Sequence, residues 1–521
     1  MVKNAEEMAK EQKEISIAEF FEKNRHLLGF DNPSKALLTV VKEAVDNSLD
    51  ACEEAGILPE INVEIKDLGE NKYHVSIEDN GPGILKSQIP KIFGKLLYGS
   101  KFHRLRQARG QQGIGISAAV LYSQLTAGKP AIIYSKTKEK DKTRVFHIKI
   151  DIIKNEPEII KEDLIDNGLN HVGTKISLLL EGKYVQRYHS PDEYLRETAI
   201  VNPWAKIEYT PPIGKKIIFP RVVKKLPKSS KEIKPHPHGV ELGVLSRMLK
   251  NTKSRNISSF LQNDFSRVGS TSSEEICRLA NLDPGRTTKD LTYEEEEKLL
   301  KSMQKVKLMR PPTDCLSPIG DKLLEEGLKK EITAEFITTV TRSPDVYRGI
   351  PFQIEAGIAY GGELKEKEES QIKLMRFANK IPLLYEPSGC AITKAVSSMK
   401  WRRYGLEQSG KNLPRGPVII LVHVLSAWVP YTSEGKEAIA NYPEIIKEIK
   451  LAVQECARKM NMYMKRKVRA KRETQRLSIF ENYIPLIIKN AEDLANVKIK
   501  VDISTILDKV IKKRLIEDVK E

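Results

Sequence analysis

Two polar residues of complementary chemistry, Glu43 and Asn47, stand four apart in Lys42-Glu43-Ala44-Val45-Asp46-Asn47-Ser48-Leu49-Asp50. On a helix that spacing puts both side chains on one face. A carboxylate there can orient a water, and an amide oxygen can hold a magnesium ion, which favours oxygen ligands. Alone, such a pair is more often solvated surface. The segment that carries it reads as a helix. Asn32 can cap its start, Pro33 suits its first turn, Gly56 can close it, and Leu37, Leu38, Val41, Val45 and Leu49 give it an apolar face.

Two further motifs follow. Tyr73–Ile77 alternates like a half-buried strand and runs into Glu78-Asp79-Asn80-Gly81-Pro82-Gly83-Ile84. Gly110-Gln111-Gln112-Gly113-Ile114-Gly115-Ile116-Ser117 opens onto the apolar Ala118–Leu121. Taken singly, these are a Gly/Pro turn and a loop before a helix. A glycine-rich loop feeding a helix start also presents backbone N–H groups to phosphate. It is not a P-loop, because GxxxxGK[ST] does not occur.

In this order the three motifs resemble the ATP site of the superfamily that holds gyrase, the ninety-kilodalton heat-shock chaperones, histidine kinases and MutL-type repair proteins. The resemblance implies the Bergerat fold, an α/β sandwich with helices on one face of a mixed sheet, binding ATP and Mg2+. It also assigns roles. Asp79 accepts a hydrogen bond from the adenine amino group, and Gly83 lets the base approach the backbone. Asn47 holds magnesium, and Glu43 is the general base. Ser100 and Lys101, in the lid Leu96–Phe102, touch ribose or phosphates. The amides of Gly110, Gln111, Gln112, Gly113, Ile114, Gly115, Ile116 and Ser117 cradle the β- and γ-phosphates.

Length and charge set the wider frame. At 521 residues several domains are expected, and a net charge of +17 favours a polyanionic partner such as nucleic acid, although a Lys/Glu-rich thermophile composition would also give it. Cys52, Cys277, Cys315, Cys390 and Cys456 are scattered and without a CxxC pair, which argues for a reducing cytosol and against a disulfide framework or zinc site. No signal peptide or membrane-spanning run is visible, so a cytoplasmic, nucleoid-associated protein is expected.

Along the chain we expect a polar arm to Lys13, a short helix from Ser16 to Leu28, and an ATP-binding domain through residue 228. Its strands fall near Ile61–Ile65, Tyr73–Glu78, Ala131–Ser135, Arg144–Ile150 and Thr174–Leu180. Residues 229–310 read as a small helical domain. Its helices are Val240–Leu249, Ile257–Phe265, one opened by the capping-box spacing Ser272 to Glu275, and one opened by Thr292 to Glu295. Lys253, Arg255, Arg267 and Arg286, in or near its turns, suit phosphate contacts. A helical spacer is the bland alternative.

Residues 311–470 carry a helix Asp321–Glu331, strands at Phe352–Gly362 and Gln371–Ala378, and a buried strand Pro417–Pro430. Trp401-Arg402-Arg403-Tyr404 pairs aromatics with two arginines, a pattern suited to a nucleic-acid backbone or to a cation–π surface cluster. A long helix runs from Ala438 to about Glu473. A tail, 471–521, with an amphipathic stretch at Val501–Ile516, suggests docking to another protein.

The helical insertion, the following domain and the WRRY sequence together resemble topoisomerase VI B subunits over nearly the whole chain. That family implies a helix–two-turns–helix domain, a transducer domain with a left-handed crossover, and a long C-terminal helix. It implies a switch lysine after a buried strand, for which Lys436 is the first candidate and Lys411 the rival. It further implies an ATP-dependent homodimer, a cleaving A subunit in an A2B2 heterotetramer, and passage of double-stranded DNA. A MutL-like repair ATPase and an ATP-gated clamp or chaperone are the competing readings.

Overall fold

The computed structural model describes residues 14–496, apart from 101–103, 111, 112, 187, 368, 369 and 434, together with Met8 and Gln12. The described residues within Met1–Arg402 and Leu406–Cys456 form one compact unit, and those within Arg403–Gly405 and Ala457–Glu521 a second. The arm before residue 14 is almost wholly outside the described residues, as is Val501–Ile516.

The first unit contains two sheets. The larger has the order β5-β4-β3-β6-β2-β1-β7-β8, with β1 Glu60–Asp67, β2 Lys72–Asp79, β3 Ala131–Lys136, β4 Thr143–Asp151, β5 Glu156–Ile165, β6 Gly173–Glu181, β7 Lys206–Thr210 and β8 Ile217–Phe219. Only β1 and β7 pair in parallel, so the sheet is mixed. Helices Pro33–Glu54 and Gly115–Ala127 lie against it and share one core with it, through Leu37, Val41, Val45, Ile77, Val120 and Leu178. The first helix starts where Asn32 accepts from the Lys35 amide at 2.9 Å, with Pro33 in its first turn, as predicted. The five predicted strands are present. The sequence reading missed β5, whose mostly exposed edge lacks an apolar face, and the short β7 and β8.

The helices Leu242–Asn251, Ile257–Asp264, Ser270–Ala280 and Tyr293–Lys305 enclose a separate core that includes Leu245, Leu249, Phe260, Ile276, Leu299 and Met303. The capping box at Thr292 and Glu295 is formed. The one predicted at Ser272 is not: that helix begins at Ser270 with Gly269 as its cap, so Ser272 already lies inside it.

The second sheet comprises β9 Phe336–Thr341, β10 Asp345–Tyr347, β11 Ile350–Tyr360, β12 Lys373–Ala378, β13 Ile381–Pro382 and β14 Val418–Ser426. Its order is β10-β11-β14-β12-β13, with β9 also pairing β11. All nine residues of β14 are buried, because it is central and covered on both faces. β12 and β14 run parallel, joined by a crossover through helix Ala391–Ser397. Helix Asp321–Glu331 packs Leu324 and Leu328 with Phe377 and Leu421 of this sheet and with Ile200, Val201 and Trp204 of the first domain, giving the second sheet and that domain a shared core.

The long helix spans Pro443–Ala495, not 438–473. Its start is delayed because Ile439 bridges Tyr431 and Ala440 donates to the Pro430 carbonyl, holding 438–442 extended. No glycine follows Gly435 to stop it earlier, and it ends where Asn496 takes the left-handed conformation at φ +52°. Pro485 is accommodated within it.

Candidate active site

A cavity of about 650 Å³ gathers most of the predicted site residues. Glu43 and Asn47 face it from helix Pro33–Glu54, and Asp79 from the end of β2. Gly110, Gly113, Ile114, Gly115 and Ile116 face it from the loop and first turn of helix Gly115–Ala127. Ser100 also lines it; Lys101, Gln111 and Gln112 lie outside the described residues. Ser117 is buried inside the helix start, where its hydroxyl donates to the Ile114 carbonyl at 3.0 Å.

Asp79 is 7% exposed and fully engaged on one side. Oδ2 accepts from the Ser48 hydroxyl at 2.7 Å, and Oδ1 from the amides of Gly81 at 2.9 Å and Thr174 at 3.2 Å. Burial pushes its carboxyl above the usual carboxylate range, against the pull of those donors. Gly83 lines the cavity, but the close approach that demands glycine there is to protein. Its φ is +70°, and a Cβ would stand 2.3 Å from the Lys136 carbonyl oxygen. The fold alone therefore demands glycine here, whatever the cavity holds. Gly115 carries the tightest constraint: a Cβ on it would fall 1.7 Å from Glu43 Oε2. Bare backbone is what lets the loop close onto that carboxylate.

Lys436 enters the cavity from the loop after β14, with Nζ 3.9 Å from Glu43 Oε1. Two lysines of helix Pro33–Glu54 hold that loop. Lys42 Nζ donates to the Gly435 carbonyl at 3.1 Å, and Lys35 Nζ pairs with Glu437 at 2.5 Å. Lys411 is exposed in a turn and does not line the cavity. The second sheet also supplies a wall that no motif announced, Pro382, Leu384 and Tyr385. Beneath the site, Asp46 is buried, with Oδ1 accepting from the Tyr194 hydroxyl at 2.8 Å. Burial, then the neighbouring Glu43, pushes it up to about 6.

The predicted DNA-contact residues divide. Lys253, Arg255 and Arg267 are exposed, the first two beside a shallow depression at the Asn251–Asn256 turn. Arg286 is half-buried and spent internally, donating to Glu295 at 2.5 Å and to the Asp290 carbonyl at 2.7 Å. It ties a loop to the capped helix, so its guanidinium is not presented outward. Trp401 is fully buried and its indole donates to the Val396 carbonyl at 2.8 Å, so it is core and not a stacking surface. Arg402 and Arg403 are exposed, and Tyr404 is partly so.

Comparison with known proteins bears on the whole chain. Residues 32–153 match the family model of the histidine kinase-, DNA gyrase B- and HSP90-like ATPases, and residues 311–476 that of the topoisomerase VI B subunit transducer. The B subunit of the type 2 DNA topoisomerase 6 from Methanococcoides burtonii is 51% identical over 94% of this chain and 78% of its own length. Its counterpart from Archaeoglobus fulgidus is 48% identical over 98% and 85%, and that from Methanothermobacter thermautotrophicus 40% over 97% and 96%. The chain belongs to the topoisomerase VI B subunit family. As a topoisomerase VI B subunit it is the ATP-driven subunit of a type II DNA topoisomerase, and the cavity is lined by its ATPase part and, through Pro382, Leu384, Tyr385 and Lys436, by its transducer. Among the described residues of this topoisomerase VI chain no helix is long and apolar enough to cross a membrane, and no group of three His, Cys, Asp or Glu is placed to hold a metal. All five cysteines are free and buried.

Proposed function

We propose that the cavity binds ATP with Mg2+ in a fixed orientation and that hydrolysis there times a gate for double-stranded DNA. The observation that carries this is the convergence of Glu43, Asn47, Asp79, the glycine loop and Lys436 on one cavity. An ionised carboxylate offers about four acceptor sites. Three on Asp79 are taken by Ser48, Gly81 and Thr174, so one remains for the adenine amino group. A guanine carbonyl at that position would be repelled.

The first-turn amides of helix Gly115–Ala127 have no partner within their own helix and suit the β- and γ-phosphates. Asn47 would hold Mg2+, which usually takes few protein ligands alongside phosphate oxygens and water and, when bound, neutralises phosphate charge. Glu43 orients and deprotonates the attacking water. Lys436 leaves Glu43 for the γ-phosphate, so the second sheet senses whether ATP is intact. Ser100 and Lys101 belong to the lid, and Gln111 and Gln112 to the phosphate loop.

The ATP-binding domain is then residues 1–228, the helical domain 229–310, the transducer 311–470, and the tail 471–521 docks to the A subunit. ATP closes a B–B dimer inside an A2B2 enzyme, and the A subunit cuts DNA. Lys253, Arg255, Arg267, Arg402 and Arg403 meet the DNA backbone. The test is relaxation of supercoiled plasmid by this chain with its A subunit, with and without ATP. Relaxation requiring both subunits and ATP is expected. Intact ATPase activity and proven A–B association without relaxation would overturn the gating role.

A further inference from the structure

A second lysine of the second sheet grips the ATP-site helix about 15 Å from the first, at 1.5 Å per residue over the ten residues from Glu43 to Glu53. β12 turns into β13 through Asn379 and Lys380, both at positive φ (+46° and +67°), the signature of a two-residue hairpin turn. β12 is parallel to β14, so this turn and the loop that carries Lys436 leave the same end of the sheet. Lys380 is 3% exposed. Its Nζ lies 3.3 Å from Glu53 Oε2, 3.4 Å from the Ser317 hydroxyl and 4.9 Å from the centre of the Trp204 ring.

Glu53 passes the contact on. Its Oε1 accepts from Arg109 at 2.6 Å and from the Trp204 indole at 3.0 Å. Arg109 is the residue immediately before the phosphate loop. It also donates to Asp50 Oδ1 at 2.8 Å and to the Asn202 carboxamide at 2.5 Å. The amides of Arg109 and Gly110 approach Asp50 Oδ2 at 3.2 and 3.4 Å. The hairpin touches the loop base directly as well, because Asn379 donates to the Ala108 carbonyl at 3.1 Å. The buried Asp50, Arg109 and Lys380 and the partly buried Glu53 thus form a cluster of balanced charge at the root of Gly110–Ser117.

Lys380 is itself pinned from behind. Its amide donates to His423 Nε2 at 2.9 Å, which leaves Nδ1 as the ring's donor to Glu355 at 2.8 Å. Glu355 in turn accepts from the amides of Ile319 and Gly320 and from the Thr341 hydroxyl. The turn is therefore held by the second sheet from behind while it touches the loop's root in front.

We propose that Lys380 is a positioning residue for ATP hydrolysis, setting the phosphate loop through Glu53 and Arg109 so that the loop is aligned only when the second sheet is seated. This rests on the reading of Gly110–Ser117 as the phosphate cradle. Lys380 touches neither nucleotide nor water; it acts through the loop's root. Seating the sheet thereby does two things at once. It delivers Lys436 and it aligns the loop.

The test uses the full chain with its A subunit and compares wild type, Lys380→Met and the double variant Lys380→Met/Glu53→Gln, which removes both buried charges. Steady-state ATPase, ADP affinity and thermal unfolding are read on each. For Lys380→Met a fall in kcat of about tenfold to a hundredfold is expected, the range of one lost charge-assisted hydrogen bond, with ADP affinity held. The double variant is expected to recover thermal stability but not kcat. Unchanged kcat in Lys380→Met, or kcat recovered with stability in the double variant, would overturn the proposal. So would failure of both variants to fold, since Lys380 would then be only structural. The cradle reading is checked separately in wild type. If a non-hydrolysable ATP analogue gains no affinity over ADP from its γ-phosphate, that reading itself fails. If the gain is present while Lys380→Met keeps full kcat, only the present inference fails.

Discussion

Two acid–lysine contacts link the same helix to the same end of the same sheet, yet they are built oppositely. Glu43 and Lys436 stand 3.9 Å apart, at the edge of ion-pair range, on the wall of a large cavity. Glu53 and Lys380 stand 3.3 Å apart within a buried group that also holds Arg109, Asp50 and the Trp204 indole. Side-chain exposure is alike in the two, 5% and 13% for Lys436 and Glu43 against 3% and 17% for Lys380 and Glu53, so the difference lies in distance and bonding, and the longer pair on a cavity wall exchanges partners more readily. A buried, multiply bonded pair loses several kcal/mol if one member is removed, because the other is left charged and desolvated. The helix therefore has one contact suited to switching and one suited to clamping.

The largest effect separating switch from clamp is expected at Glu43. Glu43→Ala should lower turnover by roughly 10²–10⁴-fold, the span of general-base catalysis, while ATP binding persists. Filter binding beside single-turnover hydrolysis checks this, and loss of binding would remove Glu43 from its role. On the clamp side, Arg109→Leu removes the guanidinium that pairs with both Asp50 and Glu53. It should destabilise the fold by about 3–5 kcal/mol in denaturant unfolding. A loss below about 1 kcal/mol, the scale of an exposed pair, would mean that the cluster is not a clamp.

Lys436→Ala should cost about 1.5–3 kcal/mol in affinity for a triphosphate analogue and nothing for ADP. Equal loss for both would show that the lysine is fixed in place. Asp46 lies between the two contacts, and its pH behaviour follows from its folded pKa of about 6, above the ordinary 3.8. Between those values the folded chain holds more protons than the unfolded one, so stability falls as pH rises through about 4 to 6 and is level above. Asp46→Asn should gain on wild type across that window, to a ceiling of roughly 3 kcal/mol, and keep the gain at higher pH. No pH-dependent difference in unfolding free energy would show that Asp46 stays ionised.

The smallest effect tests the same contrast of spent and available charge in the helical region. Lys253→Ala should reduce the slope of log DNA affinity against log salt by about 0.9, and Arg286→Ala should leave it unchanged. A reversed result would place Arg286 on the DNA.

What the sequence revealed follows the same division. Glu43, Asn47, Asp79 and the glycines were legible because their chemistry depends on residue type and local spacing, and Asn32-Pro33 marks its helix start without help from the rest of the chain. Lys380, Glu53 and Arg109 were not legible. Each reads as an ordinary surface charge until the fold brings together residues 327 positions apart. Trp401 was misread for the converse reason. Two exposed arginines follow it, but helix Ala391–Ser397 supplies the Val396 carbonyl that takes its indole into the core. β5 escaped notice because an edge strand with exposed Ile159, Ile160 and Leu164 among charges shows no one-sided alternation.

The contact between Gly115 and Glu43 has a historical consequence. With 1.7 Å between the carboxylate and any Cβ at position 115, a substitution from the glycine side must turn the Glu43 side chain out of its present place. A descendant of this protein reaches a different residue at 115 only by moving, shortening or removing the acid at 43. Every such route passes through a chain whose proposed base is displaced.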